Sequence, residues 1–209
     1  MFTLESEPHD QVLRGRLQEI TDRLIADQVG LQVEAVARLS EAHPHCISLV
    51  EQAIPDRADT WRYTCYMYAF ELHPPPRAVQ QIAGAFGAIF PGSAFVNFLI
   101  DRHLDEVAPG EVVQGDVVVY LAADSPKHAG KVDSGAVVSK WGTAHLWRHR
   151  LFEVPSSHGD VVRFFRGMQR TDALGAFLEY ARASLGPDVV EKSLRRSNRK
   201  HWLQNKPAT

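Results

Sequence analysis

The sequence predicts an α+β protein in which helices pack on a small antiparallel sheet. Three observations support this class. Val117 to Leu121 forms a continuous β-branched and apolar run after Gly115-Asp116, which is typical of a strand buried on both faces. Two further strand-like runs follow across short turns, HAGKV at 128–132 and AVVSKW at 136–141. Apolar residues recur at helical spacing both before and after this region, so helices are expected on either side of the sheet.

The first 55 residues predict a helical lead-in without chemistry of its own. Residues 10–28 carry an apolar stripe at helical spacing, Gly30 interrupts it, and a second helix is expected to end near His43-Pro44. A third helix is expected over residues 46–54, where Cys46 would lie shielded on an apolar face and Pro55 would end the helix.

Residues 56–170 are expected to form the main domain, which begins with a helix bearing a cysteine. Thr64 is a good N-cap, and it would place Cys65 at the first helical position. An N-cap at Asp59 or Thr60 is the alternative, and it would bury Cys65 one turn deeper. His73 and the prolines after it stop this helix.

The rest of the chain supplies further helices and one more strand. Amphipathic helices are expected at about Arg77 to Phe90 and Ser93 to Glu106, and a last strand at Val161 to Phe165. Residues 171–209 then form a helix capped by Thr171 and stopped by Gly186-Pro187, followed by a basic tail packed on the same domain.

Composition excludes several classes of function. The chain has 209 residues, 44% hydrophobic and 23% charged, and a net charge of −2 that argues against a nucleic-acid binder. No apolar run approaches the ~20 residues needed to span a membrane. The N-terminal residues are acidic and polar, unlike a signal peptide, and two cysteines form no disulfide framework. A cytoplasmic location, or export by a leaderless route, is expected.

Cys65 and His128 are the candidate catalytic pair. Backbone N–H groups at a helix start lower the pKa of a thiol, and a nearby imidazole converts it to a thiolate–imidazolium pair. His128 is expected to open its strand beside the small pair Ala129-Gly130, which leaves room for a ligand. The thiolate would attack an acyl carbon, and His128 would protonate the leaving amine. On this interpretation Cys65 should be alkylated before Cys46.

The oxyanion donors and the third catalytic residue stay open at this level. The Cys65 N–H is one oxyanion donor, and Trp61 or Tyr63 could supply a side-chain donor. Folding residues 128–142 as a hairpin brings Ser139 or Lys140 opposite His128, and the Ser139 register fits best.

Histidines downstream give a second set of candidates. His145 and His149 are alternative partners for the dyad if the chain curls back over the site. They lie four residues apart, which is the spacing of metal ligands on a helix. The segment is predicted to be extended, however, and it has no HEXXH glutamate. The cluster His43, His45 and Cys46 lacks a second group of ligands at zinc spacing. No metal and no cofactor are therefore expected.

These residues, in this order, resemble the NlpC-like papain-fold cysteine peptidases and amidases and the related CHAP-like amidohydrolase domains. The resemblance covers roughly residues 62–166 and depends on a cysteine at a helix start, then GDVVVY, then HAGKV, then a partner strand. It implies a papain-like fold and hydrolysis of an amide or isopeptide bond. It also implies a bacterial protein whose substrate is a peptide or a peptidoglycan stem peptide.

Two other hypotheses about the function stay open. One is a catalytically silent papain-like module that binds a peptide or a partner protein, which a weak third catalytic residue favours. The remoter one is a deamidase or a lipid-acting thiol acyltransferase with an apolar entrance lined from Phe86 to Phe98. The oligomeric state is left open.

Overall fold

The chain folds as an α+β protein, as the sequence predicts. The computed structural model describes residues 8–23, 29–54, 63–87 and 92–204. Within them the helices are α1 (Pro8–Arg23), α2 (Val29–Leu39), α3 (Cys65–Ala69), α4 (Arg77–Ala85), α5 (Ser93–Arg102), α6 (Arg170–Leu185) and α7 (Pro187–Gln204). Short 3-10 turns lie at Pro109–Glu111 and Ser156–His158. No helix in the described part of the chain is long and apolar enough to cross a membrane.

The described strands form one antiparallel sheet of seven strands. They are β1 (Ser48–Glu51), β2 (Glu106–Val107), β3 (Val117–Ala122), β4 (Ser125–Asp133), β5 (Ala136–Lys140), β6 (Leu146–His149) and β7 (Val161–Phe165). Their order across the sheet is β1-β6-β5-β4-β3-β7-β2, so β3 and β4 lie near the centre. The run Val117 to Leu121 is buried on both faces, as its composition predicts.

The prediction that His128 opens its strand is wrong, because the preceding turn is tighter than expected. Ala123 and Asp124 both adopt positive φ, +46° and +61°, and make a short hairpin turn. Strand β4 therefore begins at Ser125, and His128 is an interior residue of it. Pro126 is tolerated since the β3–β4 register shifts beside it.

Different helices pack on the two faces of the sheet. One face packs on α3, α5, α6 and α7, and is called the helical face; Val117, Val119, Ala129 and Phe165 point into it. The other is called the α1 face. Its core residues from the strands and from the loop before β7 are Val118, Tyr120, Val132, Val137, Leu151, Phe152, Val154 and Phe164. Leu13 and Leu17 of α1 pack on this side against Trp141 and Trp147.

The third N-terminal helix is absent, and an edge strand takes its place. Residues 48–51 form β1, which pairs with β6 through Ser48↔Arg148 and Leu49↔Trp147. Side chains distant in sequence hold this segment extended: Glu153 accepts from the Cys46 N–H, and His145 accepts from the Ala53 N–H. Local apolar spacing predicts a helix here, but long-range pairing overrides it.

The predicted helix after β7 is present, but its cap is not Thr171, and the expected basic tail forms helix α7 (Pro187–Gln204) within the described residues. Helix α6 begins at Arg170 with Gln169 as N-cap, so Thr171 lies inside the first turn. Its buried stripe of Ala173, Phe177 and Ala181 packs on the sheet. Gly186 ends the helix with φ of +85°, a value that favours glycine.

Candidate functional site

Cys65 occupies the predicted position at the start of a helix. Thr64 is the N-cap of α3, and its Oγ1 accepts a hydrogen bond from the Met67 N–H at 3.4 Å. The side chain of Cys65 faces the helical core of the molecule, and the residue is only 8% exposed. The sequence therefore fixes the local placement of the thiol, and packing fixes its burial.

The surroundings of Cys65 stabilise the thiol form rather than the thiolate. Burial raises the pKa of Cys65 to about 11 because a buried thiolate loses its hydration. Backbone N–H groups of Ala129, Tyr66 and Cys65 itself are directed at the sulfur and act in the opposite direction. Burial outweighs these donors, so the low thiol pKa expected from the helix start is not obtained.

His128 points to the other face of the sheet. Strands β3 and β4 pair through Val119↔Ala129 and Tyr120↔His128, and successive side chains of a strand alternate between faces. Ala129 lies in the helical core with Cys65, whereas the His128 ring lies 5.5 Å from Tyr120 and stacks on His158 at 3.8 Å. His128 is 1% exposed.

The lowered pKa of His128 also argues against a thiolate–imidazolium pair with Cys65. Its pKa is lowered well below the ordinary value, first by burial and then by the neighbouring rings of His158 and His149. Its Nε2 atom is buried without a hydrogen-bond partner. The structure thus does not join Cys65 and His128 in a hydrogen-bonded pair: the imidazole stacks in one core and the thiol lies in the other.

Ser139 lies on the α1 face but serves another histidine. The register Lys131↔Val138 and Asp133↔Ala136 places Ser139 level with Gly130 instead of His128. Its Oγ lies 2.8 Å from Nε2 of His149, whose Nδ1 lies 2.7 Å from the Arg150 carbonyl. A carbonyl only accepts, so Nδ1 carries the proton and Ser139 donates to Nε2.

His149 is therefore a neutral, buried imidazole. Burial lowers its pKa to about 4, and the bond from Nδ1 to the Arg150 carbonyl opposes this only in part. His145 has a structural role, because its Nδ1 accepts from the Ala53 N–H at 3.0 Å and anchors the chain after β1.

Lys140 and Tyr63 form a second buried polar group, on the helical side. The Lys140 Nζ lies 3.8 Å above the Tyr63 ring and donates to the Ala144 carbonyl at 2.6 Å. Burial lowers the pKa of Lys140 to about 8. The Tyr63 hydroxyl donates to Glu51 at 2.7 Å, so it is held away from an oxyanion role at Cys65. Trp61, the other oxyanion candidate, lies outside the described residues.

His158 and Arg14 complete the α1 face, and the sequence analysis missed both. His158 ends a 3-10 turn that α1 covers, and Arg14 of α1 donates to the carbonyl of the following Gly159. Burial lowers the pKa of His158 to about 3, with His149 and Arg14 adding repulsion. The dipeptide His158-Gly159 before a strand was the available signal, but nothing local connects it to His128.

No metal centre is formed by these histidines. Among the described residues no group of three or more histidine, cysteine, aspartate or glutamate side chains could hold an ion. His128 and His158 stack with an angle of 14° between their planes, so their nitrogens do not converge on one point.

Comparison with known proteins adds no family. No family model, no curated protein and no solved structure matches this chain.

Proposed function

We propose that this protein is a catalytically silent module of papain-like, NlpC-type fold that binds an extended peptide segment of a partner protein. The observation that carries the proposal is the separation of the candidate pair: Cys65 lies in the helical core with a raised pKa, and His128 stacks on His158 in the other core. Because the imidazole does not reach the thiol, it cannot deprotonate it, and the thiol stays in its weakly nucleophilic neutral form.

The exposed edge of β1 supports the binding role. Among the described strands β1 pairs only with β6, so its outer edge offers unpaired backbone groups. Leu49 is 38% exposed and Val50 is 50% exposed on this strand. The opposite edge of the sheet is protected, because β2 has two residues and its Glu106 is paired with Arg163.

The size of this edge favours a peptide over a second copy of the chain. Four residues span about 13 Å, which is far too little surface for the roughly 1,200 Å² of a stable dimer. A peptide added as a strand gains its affinity from main-chain hydrogen bonds, and apolar side chains such as Leu49 and Val50 give it a contact surface. The occupant is therefore an extended apolar segment.

Substitution at the edge is expected to weaken peptide binding while leaving the fold intact. The probe is a fluorescent decapeptide selected from a random display library on the immobilised protein. Val50→Lys should weaken its binding by about tenfold or more, because a charged edge residue opposes strand addition. Val113→Lys is the matched control, since Val113 is equally exposed but lies outside the sheet. Fluorescence anisotropy measures both affinities.

A backbone-modified probe separates strand addition from simple apolar contact. The same decapeptide with alternate N-methylated residues keeps its side chains but loses main-chain donors. Its affinity for the wild-type protein should therefore be no higher than the affinity of the unmodified decapeptide for Val50→Lys. Equal affinity for Val50→Lys and the wild type, or for both peptides, would show that β1 is not the binding edge.

A cysteine-dependent amide hydrolase with Cys65 as nucleophile is the second candidate. One observation favours it: three backbone N–H groups converge on the Cys65 sulfur, and one comes from Ala129, the neighbour of His128 in the chain. This candidate requires a conformation in which His128 leaves His158 and reaches the thiol. The two candidates predict opposite alkylation orders for the two cysteines.

A further inference from the structure

We propose that the stacked pair His128–His158 is an acid-operated latch that releases α1 and the turn Ser156–His158 from the sheet. Two imidazoles lie face to face at 3.8 Å, one on a central strand and one on the turn that α1 covers. This arrangement holds only while the two rings are neutral, because two charges at that distance in a buried site repel strongly.

The contacts of α1 make it the element that moves. Arg14, which is 4% exposed, donates to the Gly159 carbonyl next to His158, and Gln18 accepts from the Ser157 N–H. Leu13 and Leu17 pack on Trp141 and Trp147. Helix α1 thus closes over the turn, and its departure together with the turn would expose the two rings, of which His128 is 1% and His158 9% exposed in the closed state.

Of the groups around the pair, Arg14 and His149 oppose its protonation. Arg14 comes from α1, His149 from β6 and Tyr120 from β3; Arg14 is a permanent cation, and the Tyr120 hydroxyl donates to the Leu151 carbonyl. His149 takes its hydrogen bond from Ser139. Asp160 lines a cleft of about 290 Å³ together with Arg14, Gln11 and Ser156. Protonation of the pair is therefore disfavoured in the closed state and easier in the open state.

The direction of the pH dependence follows from linkage. Burial lowers the pKa of His158 to about 3 and that of His128 well below 6.5, while an open state exposes imidazoles of ordinary pKa. The closed state is thus fully favoured above about pH 6.5 and loses stability as the pH falls below that value, down towards the lowered pKa values. Each imidazole raises the open population roughly 25-fold between pH 7 and pH 5.

Hydrogen exchange of the α1 amides tests the latch. Protection factors, corrected for the intrinsic exchange rate, should fall several hundredfold between pH 7 and pH 5, with a slope that approaches about two protons per opening as the pH nears 5. Amides of α6, in the other core, should keep their protection. Fluorescence of Trp141 and Trp147, buried under α1, should shift to the red over the same range.

Variants that keep the ring but remove the titration identify the latch. His158→Phe should reduce the limiting slope near pH 5 to about one proton and the change between pH 7 and pH 5 to roughly 25-fold. His103→Phe is the control, since His103 lies outside the cluster, paired with Glu179, and its slope should equal that of the wild type. His128→Phe serves if His158→Phe does not fold. A wild-type slope of zero, an unchanged slope in the phenylalanine variants, or parallel loss of protection in α6 would overturn the proposal.

Discussion

Limiting iodoacetamide is expected to label Cys46 first and to leave Cys65 intact in the native protein. Cys46 is exposed in an extended segment, whereas Cys65 is buried at the start of α3. Because the pKa of Cys65 is raised to about 11, roughly one thiol in three thousand is ionised at pH 7.5. With burial added, the reaction of Cys65 should be about a hundredfold slower or more. Peptide mapping by mass spectrometry measures the two rates.

Two controls test whether the folded structure causes this order of alkylation. In urea the two cysteines should react at similar rates, since the protection of Cys65 depends on the fold. Cys46→Ser should remove the main product of the native reaction. If instead Cys65 reacts as fast as Cys46 in native protein and His128→Ala slows it, the silent module is excluded and the hydrolase candidate is favoured.

Gly159→Ala is expected to destabilise the fold strongly, by about 3 kcal/mol or more. Gly159 has φ of +103°, which L side chains rarely adopt. A Cβ atom there would lie 2.5 Å from the carbonyl oxygen of Leu121, on the backbone of β3, which cannot move aside. The loss should lower Tm by about 10 °C, measured by thermal denaturation followed by circular dichroism.

A second glycine supplies the matched control. Gly110 lies in the 3-10 turn before β3, without positive φ, and no atom would lie within 4 Å of an added Cβ. Gly110→Ala should change the free energy of unfolding by less than about 0.5 kcal/mol. Equal Tm values for the two alanine variants would contradict the tight approach of Gly159 to β3.

The expected order of alkylation depends on long-range contacts that local sequence patterns do not predict. The pattern around Cys46 favours a helix, which would shield its thiol, but pairing of β1 with β6 makes the segment extended and exposes it. The N-cap at Thr64 is local, and it is found as predicted. The pKa of the thiol that it places depends on the surrounding core, which contains α5, α6 and strand residues far away in the chain.

The orienting residue gives a second example. A hairpin fold of residues 128–142 was expected, and β4 and β5 form one with the turn at Ser134-Gly135. The partner of Ser139 is nevertheless His149 on β6, because β6 pairs with β5 and brings Nε2 within 2.8 Å. That pairing involves a strand beyond the hairpin, so no spacing within the hairpin reveals it.

Local sequence patterns are sufficient to predict the α+β class, the central buried strand, the helix start at Cys65 and the glycine that ends α6. Each depends on contacts within a few residues: a cap, an apolar period or a backbone angle. The core that receives each reactive side chain depends instead on long-range strand pairing and packing. Side chains alternate along a strand, so the pairing Tyr120↔His128 directs the imidazole to the α1 face, and Ala129 meets Cys65 on the other. Strand register and packing of distant segments set that choice, and with it the raised pKa of the thiol and the lowered pKa of the imidazole.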